Sequence, residues 1–62
     1  MIQVQMLAGR TPQQKRDLVR ALTDAFVETA GSTHDAVAVI LTDVEQSDWG
    51  QGGELFSEKK RD

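Results

Sequence analysis

TPQQKRDLVRALTDAFVETAG, residues 11–31, is the stretch on which the fold turns. Thr11 is a good N-cap, Pro12 suits the first helical position, and Gln14 stands where a capping box places Glu or Gln. Leu18, Ala21, Leu22, Ala25, Phe26 and Thr29 recur at helical spacing and predict one apolar stripe. Arg16, Arg20, Asp24 and Glu28 fall elsewhere and read as a solvated face. Gly31 suits the position just past a helix end, where the backbone turns left-handed. The pattern predicts a helix over 12–30.

Outward from that helix, both flanks read as strands. Residues 2–7 alternate, with Ile2, Val4 and Met6 on one face and Gln3, Gln5 and Leu7 on the other. Gly9 then permits a turn. On the far side, Ala36 to Thr42 reads AVAVILT, short, β-branched and apolar on both faces. Such a run suits a strand of a covered parallel sheet. Asp43 to Asp48 reads as a polar connection. Residues 49–53, WGQGG, read as a glycine-rich turn leading into a short hairpin around Glu54 to Phe56. Ser57 to Asp62 reads as a charged, frayed end. The predicted class is α/β: one β-α-β unit with parallel strands and a C-terminal hairpin, in a single domain over residues 1–62.

Two strands and one helix cannot close a core. A chain of 62 residues buries only about 60% of its unfolded surface, and small domains hold together through disulfides, a metal or oligomerisation. There is no cysteine and one histidine, which excludes disulfides and argues against a structural zinc. Oligomerisation is the expectation that remains. The formal net charge of −3 argues against nucleic-acid binding, which normally shows a basic footprint. No apolar run approaches the roughly 20 residues that span a bilayer. The start of the chain lacks the basic-then-apolar pattern of a secretion signal. A soluble cytoplasmic protein is expected, with no membrane partner.

Two further segments deserve weighing. Gly50, Gly52 and Gly53 lack a following helix with Lys-Ser/Thr, so they read as a turn and not a phosphate cradle. His34, in the loop after the helix with no histidine or cysteine partner, reads as a solvated residue.

The segments QVQMLAGRTPQQKRDLVRALTDAF and VAVILTDVEQSDWGQGGELFSEKKR resemble the small subunit of the 4-oxalocrotonate tautomerase family over nearly the whole chain. GRTPQQK after the first strand and WGQGGE after the second are the most specific pieces. The resemblance implies a β-α-β protomer assembled into a hexamer, as a trimer of dimers. It implies isomerase chemistry on small unsaturated 2-oxo and 2-hydroxy acids, without cofactor or metal. In the family an N-terminal proline amine is the base, arginines hold the carboxylate and polarise the carbonyl, and an aromatic residue keeps the pocket dry. An α-amine starts near pKa 7.7–8.0, and desolvation or cationic neighbours bring such a base into use at neutral pH.

Residue by residue, Arg10 matches the arginine that binds the substrate carboxylate, often in a neighbouring subunit's pocket. Leu7 matches a position whose backbone N–H reaches the pocket. Trp49 matches the aromatic of the late turn, suited equally to a pocket wall or an interface. Two positions depart from the pattern. Aligned from Gly9-Arg10, Met1 falls on the residue after the usual proline. The second arginine, expected in AVAVILT, falls on Ala38. Ile2 is bulky, so Met1 is expected to remain, and its amine becomes the candidate catalytic base. That amine lies about 3.3 Å of strand from the usual base position, where a misplacement of about 1 Å can cost on the order of 10²-fold. Three functions follow: a slow or altered tautomerase, a companion subunit lending Arg10 to a proline-bearing homologue, or a small-carboxylate binder.

Overall fold

The computed structural model describes residues 1–58 of the chain. In order come strand β1 (Ile2–Leu7), helix α1 (Pro12–Ala30), strand β2 (Val39–Val44), and a hairpin of β3 (Gly50–Gln51) and β4 (Glu54–Leu55). Short 3-10 turns occupy His34–Ala36, Gln46–Asp48 and Phe56–Glu58. β1 and β2 pair in parallel, from Ile2 opposite Val39 to Leu7 opposite Val44. Parallel neighbours need a crossover, and α1 supplies it.

The helix ends form as their residues dictate. The Thr11 hydroxyl accepts from the Gln14 amide at 3.1 Å, and the Thr11 amide donates to Gln14 Oε1 at 2.9 Å. This reciprocal pair satisfies two of the donors that a helix start leaves open. At the other end Gly31 sits at φ 74° and ψ 35° and donates to the Val27 carbonyl at 3.2 Å.

The helix is rotated from the expected stripe. Leu18, Val19, Leu22, Thr23 and Val27 are half-buried, whereas Ala21, Ala25 and Thr29 are exposed and Phe26 remains 39% exposed. The apolar arc of α1 is wider than a two-stranded sheet can cover, so part of it stays wet. Beneath it, Ile2, Val4, Val39 and Leu41 are half-buried. The opposite face of the sheet carries Gln3, Gln5, Ile40 and Thr42, all exposed. β2 is thus covered on one side within the protomer, not on both.

β2 also lies later than the apolar run suggested. Ala36 belongs to a 3-10 turn, Val37 and Ala38 precede the strand, and the strand continues through Asp43 and Val44. Pairing sets this boundary: β2 extends as far as β1 offers partners, and Asp43 is tolerated because Lys15 of α1 takes its carboxylate. In the hairpin only Gly52 and Gly53 form the turn, at φ 66° and 85°, between the paired residues Gln51 and Glu54. Two positive φ angles in a two-residue loop are what a type I′ turn needs. Gly50 and Gln51 are strand, and Phe56 begins the last 3-10 turn. Ser57 and Glu58 belong to that turn; the rest of the expected frayed end, at 59–62, lies outside the described residues.

No side chain among the described residues is fully buried. The radius of gyration is 15.0 Å with extents of 44 × 23 × 19 Å, against about 11 Å expected for a compact domain of this length. The accessible surface of 4996 Å² exceeds by about a quarter that of a compact monomer of equal mass. The hairpin accounts for part of this, because its pairings are within itself and with the 3-10 turns beside it. No helix among the described residues is long and apolar enough to cross a membrane.

Gly31 provides a test of the helix end. A Cβ there would meet no atom within 4 Å, so only backbone strain opposes a side chain. Gly31→Ala is expected to lower the unfolding free energy by about 1–2 kcal/mol, measured by urea denaturation, with Gly31→Asn losing less.

Candidate functional site

The residues singled out in the sequence divide between the two ends of the sheet. Met1 precedes β1 and is 76% exposed. The Ile2 amide donates to the Ala38 carbonyl at 2.8 Å, so Met1 and Ala38 lie side by side. Met1 and Ala38, the two positions expected from the sequence to depart from the family's pattern, are therefore neighbours in space.

Leu7 and Arg10 lie at the opposite end. Leu7 pairs with Val44, and the Ala8 amide donates to the Val44 carbonyl at 2.9 Å. The chain then turns at Gly9, at φ 126°, and Arg10 stands exposed immediately before the helix cap. Arg10 makes no hydrogen bond or ion pair with the described residues. A strand of six residues spans about 20 Å, so Arg10 cannot reach the Met1 amine of its own chain. A site using both must take them from different copies.

Trp49 follows β2 from the Arg10 end, through the turn Gln46–Asp48. It is half-buried; its carbonyl accepts from the Phe56 amide at 2.7 Å, and its indole Nε1 donates to Gln51 Oε1 at 3.4 Å. These bonds tie it to the hairpin. A shallow depression of about 480 Å³ lies on the exposed sheet face, lined by Gln3, Gln5, Ile40 and Thr42. It holds none of the singled-out residues and no charged group.

Four ionisable side chains form two pairs that the sequence pattern does not predict. Lys15 Nζ pairs with Asp43, joining the first turns of α1 to β2 across 28 positions of sequence. Asp43 had read as part of a polar connection. A lysine one turn past the cap and an acid directly after a β-branched run were the available signal. His34 Nε2 lies 3.0 Å from Asp24 Oδ1, and both side chains are more than half exposed. The histidine is solvated as expected, but it belongs to a 3-10 turn and has a carboxylate partner. Among the described residues no three His, Asp or Glu side chains gather as a metal-holding group.

A β-α-β protomer with an exposed strand start, an arginine at the following corner and an aromatic late turn defines a class, and comparison with known proteins gives the same one. Residues 1–59 match the family described as tautomerase enzyme. The chain is 33% identical over 57 residues to the 2-hydroxymuconate tautomerase of Bacillus subtilis (strain 168), covering 92% of each. A solved 4-oxalocrotonate tautomerase homologue superposes with TM-score 0.87 at 42% identity, over 97% of this chain and 95% of that one. A chain of the heterohexameric 4-oxalocrotonate tautomerase from Chloroflexus aurantiacus J-10-fl superposes with TM-score 0.88 at 31% identity, over 97% and 100%. The chain belongs to the tautomerase family.

Arg10 is exposed and has no hydrogen bond or ion pair among the described residues, so none of them gives its side chain a structural duty. Arg10→Ala is expected to change the unfolding free energy by no more than about 0.5 kcal/mol, read from chemical denaturation. A larger loss would assign the residue to the scaffold.

Proposed function

We propose that this chain forms an oligomer, a hexamer by family analogy, that carries out keto–enol tautomerisation of small unsaturated 2-oxo and 2-hydroxy acids in the cytoplasm. One observation carries the reading: Met1 and Arg10 stand at opposite ends of one strand, each exposed, so that only a neighbouring copy can complete a site with both. The absence of any fully buried side chain supports the assembly. The 2-hydroxymuconate tautomerase relative supports the substrate class.

In this reading the guanidinium of Arg10 holds the substrate carboxylate through charge-assisted hydrogen bonds. The Leu7 backbone N–H steadies the substrate, and Trp49 excludes water. The Met1 amine takes the enol proton, and a proton returns to a carbon of the conjugated chain; no atom is lost and no cofactor is needed. With alanine at position 38, where the resemblance expects a second arginine, the enolate charge lacks that partner and the rate suffers accordingly.

A second reading rests on a separate observation. Both departures from the family pattern, Met1 and Ala38, cluster at one end of the sheet, while Leu7 and Arg10 keep theirs at the other. This arrangement suits a companion subunit that receives no substrate at its own terminus but lends Arg10 to a proline-bearing partner. A third outcome, carboxylate binding without turnover, would make the chain a binding protein.

A 2-hydroxydienoate ketonisation assay separates these readings. The lone protein is expected to turn over slowly, and Arg10→Ala to raise KM about 10- to 100-fold, the size of a hydrogen bond to a charged group. Placing a proline directly before Met1 is expected to raise kcat/KM on the order of 10²-fold. Activity appearing only with a proline-bearing homologue would select the companion reading, and saturable binding without turnover the third. Native mass spectrometry checks the assembly, and a stable monomer at working concentration contradicts it.

A further inference from the structure

We propose that Lys15 is a positioning residue for the Arg10 site: it occupies Asp43 and so keeps that carboxylate from competing with an anionic ligand for the Arg10 guanidinium. The proposal rests on the reading of Arg10 as a carboxylate holder and adds the device that keeps it available.

Four observations meet at this end of the sheet. Asp43 lies opposite Met6, one position before the last pair of the β1–β2 ladder, Leu7 with Val44. Arg10 leaves β1 at this same end, just after the Ala8–Val44 bond. The Lys15 amide donates to the carbonyl of Thr11, the residue following Arg10, at 3.0 Å. The Lys15 ammonium in turn pairs with Asp43, and the two side chains are only 36% and 37% exposed. The lysine side chain, one helical turn past the Arg10 corner, therefore neutralises the acid of β2 that lies at this end.

An explanation of this kind is needed because the chain carries 10 acidic against 7 basic side chains. An exposed guanidinium on a chain with an excess of acids can attract carboxylates of its own chain. Arg10 nevertheless has no partner among the described residues. Half-buried charges are screened less than fully exposed ones, so freeing Asp43 would place an effective competitor at this end. Glu45, the next acid along the chain, is exposed and outside the ladder, and serves as a control.

Calorimetric titration of the whole protein with trans,trans-hexadienedioate reads the effect without requiring turnover. Lys15→Gln is expected to weaken binding about two- to fivefold, the size of a partly exposed ion-pair interaction. Lys15→Arg should bind like the parent. Adding Asp43→Asn to Lys15→Gln should restore the affinity, whereas adding Glu45→Gln should not. A purely structural lysine predicts the reverse, because the double variant at 15 and 43 would still lack the tie between α1 and β2. Unchanged affinity in Lys15→Gln, or no recovery in that double variant, overturns the proposal while leaving the Arg10 reading intact. Binding unaffected by Arg10→Ala overturns both. Should Lys15→Gln fail to fold by circular dichroism, Asp43→Asn alone decides: affinity equal to or above the parent supports the proposal, and weaker binding defeats it.

Discussion

The parallel ladder between β1 and β2 is the constraint from which the rest of this structure descends. Six residues of each strand pair, from Ile2 with Val39 to Leu7 with Val44. Parallel strands cannot be joined by a tight turn, so the chain must travel the length of the sheet and back. α1, 19 residues long and thus about 28 Å, makes that return. It can cover only the face on which it lies. The face with Gln3, Gln5, Ile40 and Thr42 is left to solvent or to another protein.

The same ladder separates the chemistry. One end of the sheet holds Met1 and Ala38; the other holds Leu7, Arg10 and the Lys15–Asp43 pair. Six residues of strand keep these groups apart. The hairpin beside Trp49 pairs with itself, and the protomer extends 44 Å along its long axis. A chain with so extended a shape and so little interior among its described residues leaves much apolar surface for a partner to cover.

Much of this was legible residue by residue. Thr11, Pro12, Gln14 and Gly31 mark both helix ends because capping is a local transaction among neighbours in sequence. The alternation of residues 2–7 gives β1 for the same reason. β2 was harder. AVAVILT has the composition of a strand throughout, and composition alone places it at 36–42; the partner strand moves it to Val39–Val44. The rotation of α1 escaped for a related reason. Its apolar arc admits two stripes, and only the sheet beneath selects Leu18, Val19, Leu22, Thr23 and Val27 over Ala21, Ala25 and Thr29. Motifs single out Arg10, Leu7 and Trp49 as candidates, but which end of the sheet each occupies depends on strand direction and could not be read locally.

By itself, the sequence determined the order of the elements and the family, because caps, periodicity and motifs are encoded within a few residues of one another. Tertiary structure alone decided the register of β2, the face of α1 that is covered, the Lys15–Asp43 pair and the adjacency of Met1 to Ala38. Each of these joins groups far apart along the chain. Nothing local distinguishes the competing arrangements until the two strands lie side by side.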